Sequence, residues 1–169
     1  EEEEADLSLG SQQYQRLQTD LESVNRSITP WVVVEVHRPL YMNEVEFDQN
    51  AVGIGLRMAF EDLLKEFKVD LVLAGHYHAY FRSCAGLFRS QCDNGGPTHI
   101  TIGTAGAHFD NTRLYETHWS AKNIMGKYGY GRITAANNAS ALHFEFVQAG
   151  ANDDDNAGTI LDDVWLTKR

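Results

Sequence analysis

With 169 residues, 43% of them hydrophobic, the chain is long enough to bury one domain core holding about 70% of its unfolded surface. No run approaches the roughly 18 apolar residues that a membrane-spanning helix needs, which excludes such a helix in this sequence. A net charge of −10 without any Lys/Arg cluster excludes a nucleic-acid partner held through phosphates.

The acidic run Glu1–Glu4 reads as a solvated end. Gly10 and Ser11 open a helix, with Ser11 as its cap and Tyr14, Leu17, Leu21 and Val24 along one apolar face. Thr29-Pro30 ends that helix and leads into the β-branched run from Trp31 to His37, which Pro39 closes. Residues 42–55 read as a loop whose Glu44, Glu46 and Asp48 are solvated carboxylates, the alternative being that one of them serves as a general acid in a dry site. A second helix follows, with Leu56, Phe60, Leu63, Leu64 and Phe67 on one face. Asp70 to Tyr80 comes next: four apolar residues between an aspartate and a glycine, a strand buried on both faces, then His76 and His78 as the strand ends.

Strand, helix, strand predicts a right-handed parallel unit whose strand tips lie side by side. An extended His-x-His places both rings on one side, since side chains alternate with period two. His37 then joins His76 and His78 from a distant part of the sequence. Neutral imidazole is the commonest metal ligand among side chains, and three converging by chance is much less expected than one. The competing reading is a plain βαβ domain whose histidines only satisfy hydrogen bonds.

Further on, Cys84 and Cys92 are the only cysteines. Their spacing is not Cys-x-x-Cys, and a metal pair or free thiols stay open, although a disulfide is favoured. Asp93 to Pro97 is a concentrated turn signal, followed by an alternating strand from Thr98 to Gly103. His99 and His143 read as structural. Residues 104–108 are small-residue backbone able to approach a buried site, and His108 and His118 are candidates for lining a substrate pocket. Residues 126–131 are glycine-rich without the Gly-Lys-Ser/Thr ending of a nucleotide loop. Residues 133–147 form a hairpin about Asn137-Asn138, and 159–167 a final strand. Asn152 to Gly158 fails the calcium-loop register and reads as a solvated loop. Asn25 and Asn138 head Asn-x-Ser sequons, with Asn138 in a hairpin turn and Asn25 near the apolar side of a helix end. Both sequons and a disulfide suit an oxidising compartment. There is no internal repeat, and residues 1–169 read as part of a single domain.

The segments Val34-Glu35-Val36-His37-Arg38-Pro39-Leu40-Tyr41 and Gly75-His76-Tyr77-His78-Ala79-Tyr80 resemble the fourth and fifth metal-binding motifs of the purple acid phosphatases, a branch of the binuclear metallophosphoesterases. The likeness runs from Gly10 to Tyr14, through Thr29-Pro30-Trp31, to Val164-Trp165-Leu166. The earlier motifs of that family, Gly-Asp-x-Gly, Gly-Asp-x-x-Tyr and Gly-Asn-His-Glu/Asp, are absent, so the chain resembles the C-terminal half of such a protein. On that pattern Glu1 falls where a strand has just ended, as in a processed or truncated chain.

The resemblance implies an α/β fold, a four-layer α/β/β/α sandwich, and two metal ions about 3.5–4 Å apart. It implies Fe(III) partnered by Zn, Mn or Fe(II), with His37 and His76 on the divalent ion and His78 on the ferric ion. Arg38 and Tyr80 would flank those ligands, and a Cys84–Cys92 disulfide is favoured. The implied activity is acid phosphatase hydrolysis of phosphomonoesters by metal-activated water, in a secreted or extracellular (or vacuolar/lysosomal) glycoprotein carrying N-linked glycans. Residues 42–55 lack the histidine that the family uses there to orient substrate or protonate the leaving oxygen, so the proton donor is unassigned. The alternative is a non-catalytic extracellular scaffold that retains the fold. The expected partner is the N-terminal half of the same protein, without which a half-sheet would expose an apolar edge and the chain would be inactive. A homo-oligomer stays open.

Overall fold

The structure is a computed structural model that describes residues 10–45, 47–110, 112–136, 138–150 and 156–168, and for residues 47–49 the backbone alone. Its elements are helix α1 (Gln12–Ser23), strand β1 (Val33–Val36), helix α2 (Phe47–Glu66), and strands β2 (Leu71–Ala74), β3 (Tyr80–Ser83), β4 (Thr98–Ile102), β5 (Ser120–Ile124), β6 (Gly129–Ala136), β7 (Ala141–Gln148) and β8 (Ile160–Thr167). Residues 1–4, Glu46, Asn137 and residues 152–155 of the acidic loop lie outside the described residues, as does the side chain of Asp48.

Ser11 starts α1 as expected, its Oγ accepting the Tyr14 amide at 3.2 Å. Leu21 is buried, and Tyr14 and Leu17 pack beside it on the core. Helix α2 corrects one expectation: it begins at Phe47, inside the segment read as a loop. Gly53 and Gly55 weaken helix propensity there, but the tertiary approach decides. A Cβ on Gly53 would stand 3.2 Å from the Leu40 carbonyl, so the helix passes close against the chain leaving β1. Arg57 donates to that same carbonyl at 2.5 Å.

Five strands form a mixed sheet in the order β1-β2-β4-β3-β5, and three form an antiparallel sheet in the order β6-β7-β8. β1 and β2 run parallel, paired from Val33↔Leu71 to Val36↔Ala74, so their carboxyl ends are level. This is the strand–helix–strand unit expected from sequence. Strands β3 and β5 were not foreseen. β3 follows directly on the His pair, and β5, Ser-Ala-Lys-Asn-Ile, lacks the apolar alternation that marks a strand.

Two apolar layers result. Leu56, Phe60, Leu63 and Leu64 of α2 pack with Val72 and Phe81 on one face of the larger sheet. On its other face, Leu71, Tyr80 and Ile100 meet Leu142, Phe144, Phe146 and Leu166 of the smaller sheet. The described residues thus form helices, sheet and sheet, three layers of the expected sandwich. Among the described residues no helix is long and apolar enough to cross a membrane. Cys84 and Cys92 are bonded to each other, with 5.8 Å between their Cα atoms. The hairpin between β6 and β7 turns through Asn138 at φ +56°. His143 stacks on Trp165 with ring centroids 4.2 Å apart and reaches Asp163 at 3.2 Å, a structural role.

Candidate metal centre

The tips of β1 and β2 deliver His37 and the loop of residues 75–79 to one pocket of about 410 Å³, lined by His37, His76, His78, Gly103, Ala105, Ala107 and Asp110. All three expected imidazoles meet there, but not through extended backbone. His76 sits in the left-handed region at φ +62°, and Tyr77 N–H donates to the Gly75 carbonyl at 2.7 Å. Such a conformation is uncommon for a residue with a Cβ and points to a position held by its surroundings. Tyr77, between the two histidines, is buried with Met42 and Ala79. Gly103 makes the loop's position possible. A Cβ there would lie 1.9 Å from the Tyr77 carbonyl oxygen, so only glycine lets the end of β4 pass this closely.

His37 Nε2 and His76 Nδ1 face one another at 3.1 Å. His78 is oriented from its far side: its Nδ1 lies 2.8 Å from the His108 carbonyl, which can only accept, so Nδ1 carries the proton and Nε2 is left with its lone pair. Asp110 adds a second hold, accepting the His78 amide at 2.6 Å, with its other oxygen 3.8 Å from Nδ1. Burial, then the charges of Arg38, His37 and His78, hold the His76 pKa below the ordinary imidazole value, so its ring stays neutral to lower pH.

Arg38 is exposed and acts on His76 through that charge. Tyr80 is corrected. It lies in the layer between the sheets, stacked on Phe146 at 4.2 Å, and its hydroxyl donates to Asp162 of β8 at 2.7 Å, so it does not flank the imidazoles. The cause is strand alternation resuming at β3, which turns Tyr80 toward the smaller sheet. His108 offers its carbonyl and an edge contact to His78, and His118 lines a separate pocket. His99 is buried in contact with Tyr41, as a structural residue would be. Glu44 overturns its solvated reading, being 1% exposed where a bridge to Leu114 covers it. Asn25, expected near an apolar face, is exposed, as is Asn138. Asp110 was missed, since nothing in its local sequence marks it as a partner of His78.

Two nitrogens 3.1 Å apart stand near the ~3.3 Å that separates two imidazole ligands on one tetrahedral cation. A histidine donating its other N–H to a carbonyl is the usual arrangement around a bound metal. The imidazoles therefore suit the nitrogen share of a metal site. Among the described residues, however, no group of three or more His, Cys, Asp or Glu side chains is arranged to hold an ion.

Residues 3–80 match the family described as “Calcineurin-like phosphoesterase”, and residues 96–163 match “Iron/zinc purple acid phosphatase-like protein C”. “Fe(3+)-Zn(2+) purple acid phosphatase 12” of Arabidopsis thaliana is 33% identical over 93% of this chain and 34% of that protein. “Probable inactive purple acid phosphatase 9” of the same plant is 34% identical over 78% of this chain and 22% of that protein. The purple acid phosphatase PPD1 from yellow lupin (Lupinus luteus) seeds superimposes with a TM-score of 0.80 and 26% identity, covering 97% of this chain and 29% of that one. The chain spans about a third of the length of the curated relatives it matches. With both halves matched, and three imidazoles gathered where the strands end, the chain belongs to the purple acid phosphatase family of metallophosphoesterases.

Proposed function

We propose that this chain supplies the histidine side of a two-metal centre that hydrolyses phosphomonoesters, Fe(III) with Zn, Mn or Fe(II), in a secreted or vacuolar glycoprotein. The observation that carries the reading is the meeting of His37, His76 and His78 in one pocket, with two ring nitrogens 3.1 Å apart. When bound, such ions supply Lewis acidity toward the phosphoryl oxygens. His37 and His76 hold one ion by facing nitrogens. His78, fixed by the His108 carbonyl and Asp110, presents Nε2 to the other. The carboxylate, tyrosinate and asparagine ligands come from an N-terminal portion of the same protein. Strand β1 supports this by lying at the sheet edge among the described residues, with Val33 38% exposed. The chain alone is therefore inactive. Asn25 and Asn138, both exposed, carry the N-linked glycans.

The test is metal content by elemental analysis together with phenyl phosphate hydrolysis at acid pH, on the protein with its N-terminal portion present and on its His37→Ala, His76→Ala and His78→Ala variants. Retained metal and activity in all three variants would overturn the assignment. A second reading, a scaffold with the fold but no catalysis, is favoured by the lack of a closed ligand group among the described residues and by a relative named as inactive. Protein from its native source, glycosylated but without metal or hydrolysis, would establish that reading instead.

A further inference from the structure

The glycine-rich stretch at residues 126–131 contributes none of the residues lining the imidazole pocket, yet it clasps the chain that holds His78. That chain is the connection after β4. It grips His78 through the His108 carbonyl on Nδ1 at 2.8 Å and the Asp110 carboxylate on the amide at 2.6 Å. The Asp110 amide in turn donates to the His78 carbonyl at 3.4 Å. Phe109 stands between these two residues in the chain. Its ring lies against the Tyr128 ring, with centroids 4.3 Å apart and planes tilted by 33°.

Burial does little to fix that connection between its ends. Residues 105–108 are exposed, and Gly106 takes φ +117°, a conformation that glycine alone adopts without strain. At the start of the connection the same clasp acts again. Buried Thr104 donates from Oγ1 to the Gly129 carbonyl at 3.1 Å, and the Gly129 amide donates to the Thr104 carbonyl at 3.3 Å. The clasp is itself seated on the smaller sheet. A Cβ on Gly129 would stand 2.6 Å from the Phe146 ring and 2.7 Å from the Val147 carbonyl oxygen, so only glycine lets the chain lie this close to β7. The Ala149 amide, just beyond β7, donates to the Tyr128 carbonyl at 2.9 Å. The segment that grips His78 is therefore tied down at Thr104 and at Phe109, in both cases by residues 128–129.

We propose that Tyr128 is a positioning residue for the metal centre: by packing on Phe109 it keeps the His108 carbonyl and Asp110 on His78, so that Nδ1 carries the proton and Nε2 keeps its lone pair for an ion. The effect on an ion rests on the phosphatase reading of the pocket, while the effect on the His78 tautomer does not. Partners that orient a metal-bound histidine are worth about 10–100-fold in metal affinity. Tyr128 acts one contact further out, so about tenfold is expected of it.

The test uses the protein with its N-terminal portion present, labelled with 15N-histidine, and its Tyr128→Ala, Tyr128→Phe and Phe109→Leu variants. Ring 15N shifts of the metal-free proteins at about pH 8, where an ordinary imidazole is neutral, separate the two tautomers. His78 is expected to hold its proton on Nδ1 in the parent protein and in Tyr128→Phe, and to show both tautomers in Tyr128→Ala and Phe109→Leu. His143, stacked on Trp165 in the smaller sheet, is expected to keep its shifts throughout and so reports an intact fold. Should Tyr128→Ala fail to fold, Phe109→Leu, which keeps an apolar side chain in place of the ring, decides. An unchanged His78 tautomer in a folded variant lacking either ring overturns the proposal. Zn(II) is then titrated in and followed at the ring nitrogens. A fall in affinity of about tenfold is expected at His78 in Tyr128→Ala and Phe109→Leu, with binding at His37 and His76 unchanged and Tyr128→Phe like the parent. Equal weakening at all three histidines overturns the positioning role, because general support of the fold would do the same. A protein that binds no Zn(II) yet shows the tautomer change overturns the metal reading alone.

Discussion

His37 Nε2 and His76 Nδ1 confront each other at 3.1 Å across the level tips of two parallel strands, with the charge of Arg38 bearing on His76. Burial is the largest influence lowering the His76 pKa, and Arg38 is next. Replacing Arg38 with alanine removes a positive charge and so makes protonation easier. The His76 pKa is expected to rise toward the ordinary imidazole value, read by NMR titration of the metal-free protein. A His76 titration unmoved by the substitution would count against this electrostatic account.

Gly103→Ala is expected to dislodge the histidine loop. Its new Cβ would meet the Tyr77 carbonyl oxygen at 1.9 Å, and both groups are backbone. A loss of at least ~2 kcal/mol in denaturant unfolding is expected, as for backbone forced from its position, together with weakened metal binding. Gly55→Ala, where a Cβ meets nothing within 4 Å and φ is not left-handed, is expected to leave metal binding unchanged.

Asp162 joins the two sheets. It accepts from Tyr80 at 2.7 Å and from Arg82 Nε at 2.7 Å and Nη2 at 3.0 Å. Burial works against its charge, but these hydrogen bonds outweigh it and hold its pKa below the ordinary aspartate value. Its contribution is therefore present above the unfolded aspartate pKa and lost as pH falls through the lowered native one. Asp162→Asn leaves Arg82 uncompensated and should cost about 3 kcal/mol at pH 6. Tyr80→Phe should cost about 1.5 kcal/mol and leave metal content unchanged, since the hydroxyl serves the sheet contact.

His99 makes stability fall in acid. Burial, helped by the charge of Arg57, lowers its pKa from 6.5 to about 3, and neither ring nitrogen has a hydrogen-bond partner among the described residues. The unfolded chain thus binds the proton more readily. Stability is full above about pH 6.5 and is lost progressively as pH falls toward 3. At pH 5 the loss is ~2 kcal/mol. His99→Leu should flatten the pH dependence of the unfolding midpoint between pH 6.5 and 4. The same slope in both proteins would place the acid sensitivity elsewhere.

What could be read in the chain without coordinates is what local pattern encodes. The β-branched run before His37 and the apolar run before His76 each state a strand and its end. The spacing of Leu56, Phe60, Leu63 and Leu64 states the helix between them, and Ser11 states a cap. Parallel pairing then follows from the handedness of the connection. The tertiary structure decided the rest, because each remaining feature depends on groups far apart in sequence. The approach of Gly53 to Leu40 lets α2 start at Phe47 despite two glycines. The passage of Gly103 beneath Tyr77 holds His76 in a left-handed turn instead of an extended strand. Asp110 finds His78 only when the β4–β5 connection folds back, and Tyr80 turns toward Asp162 only once the second sheet covers it. Periodicity reports which face of an element is apolar, but it carries no information about which distant polar group will meet a given side chain.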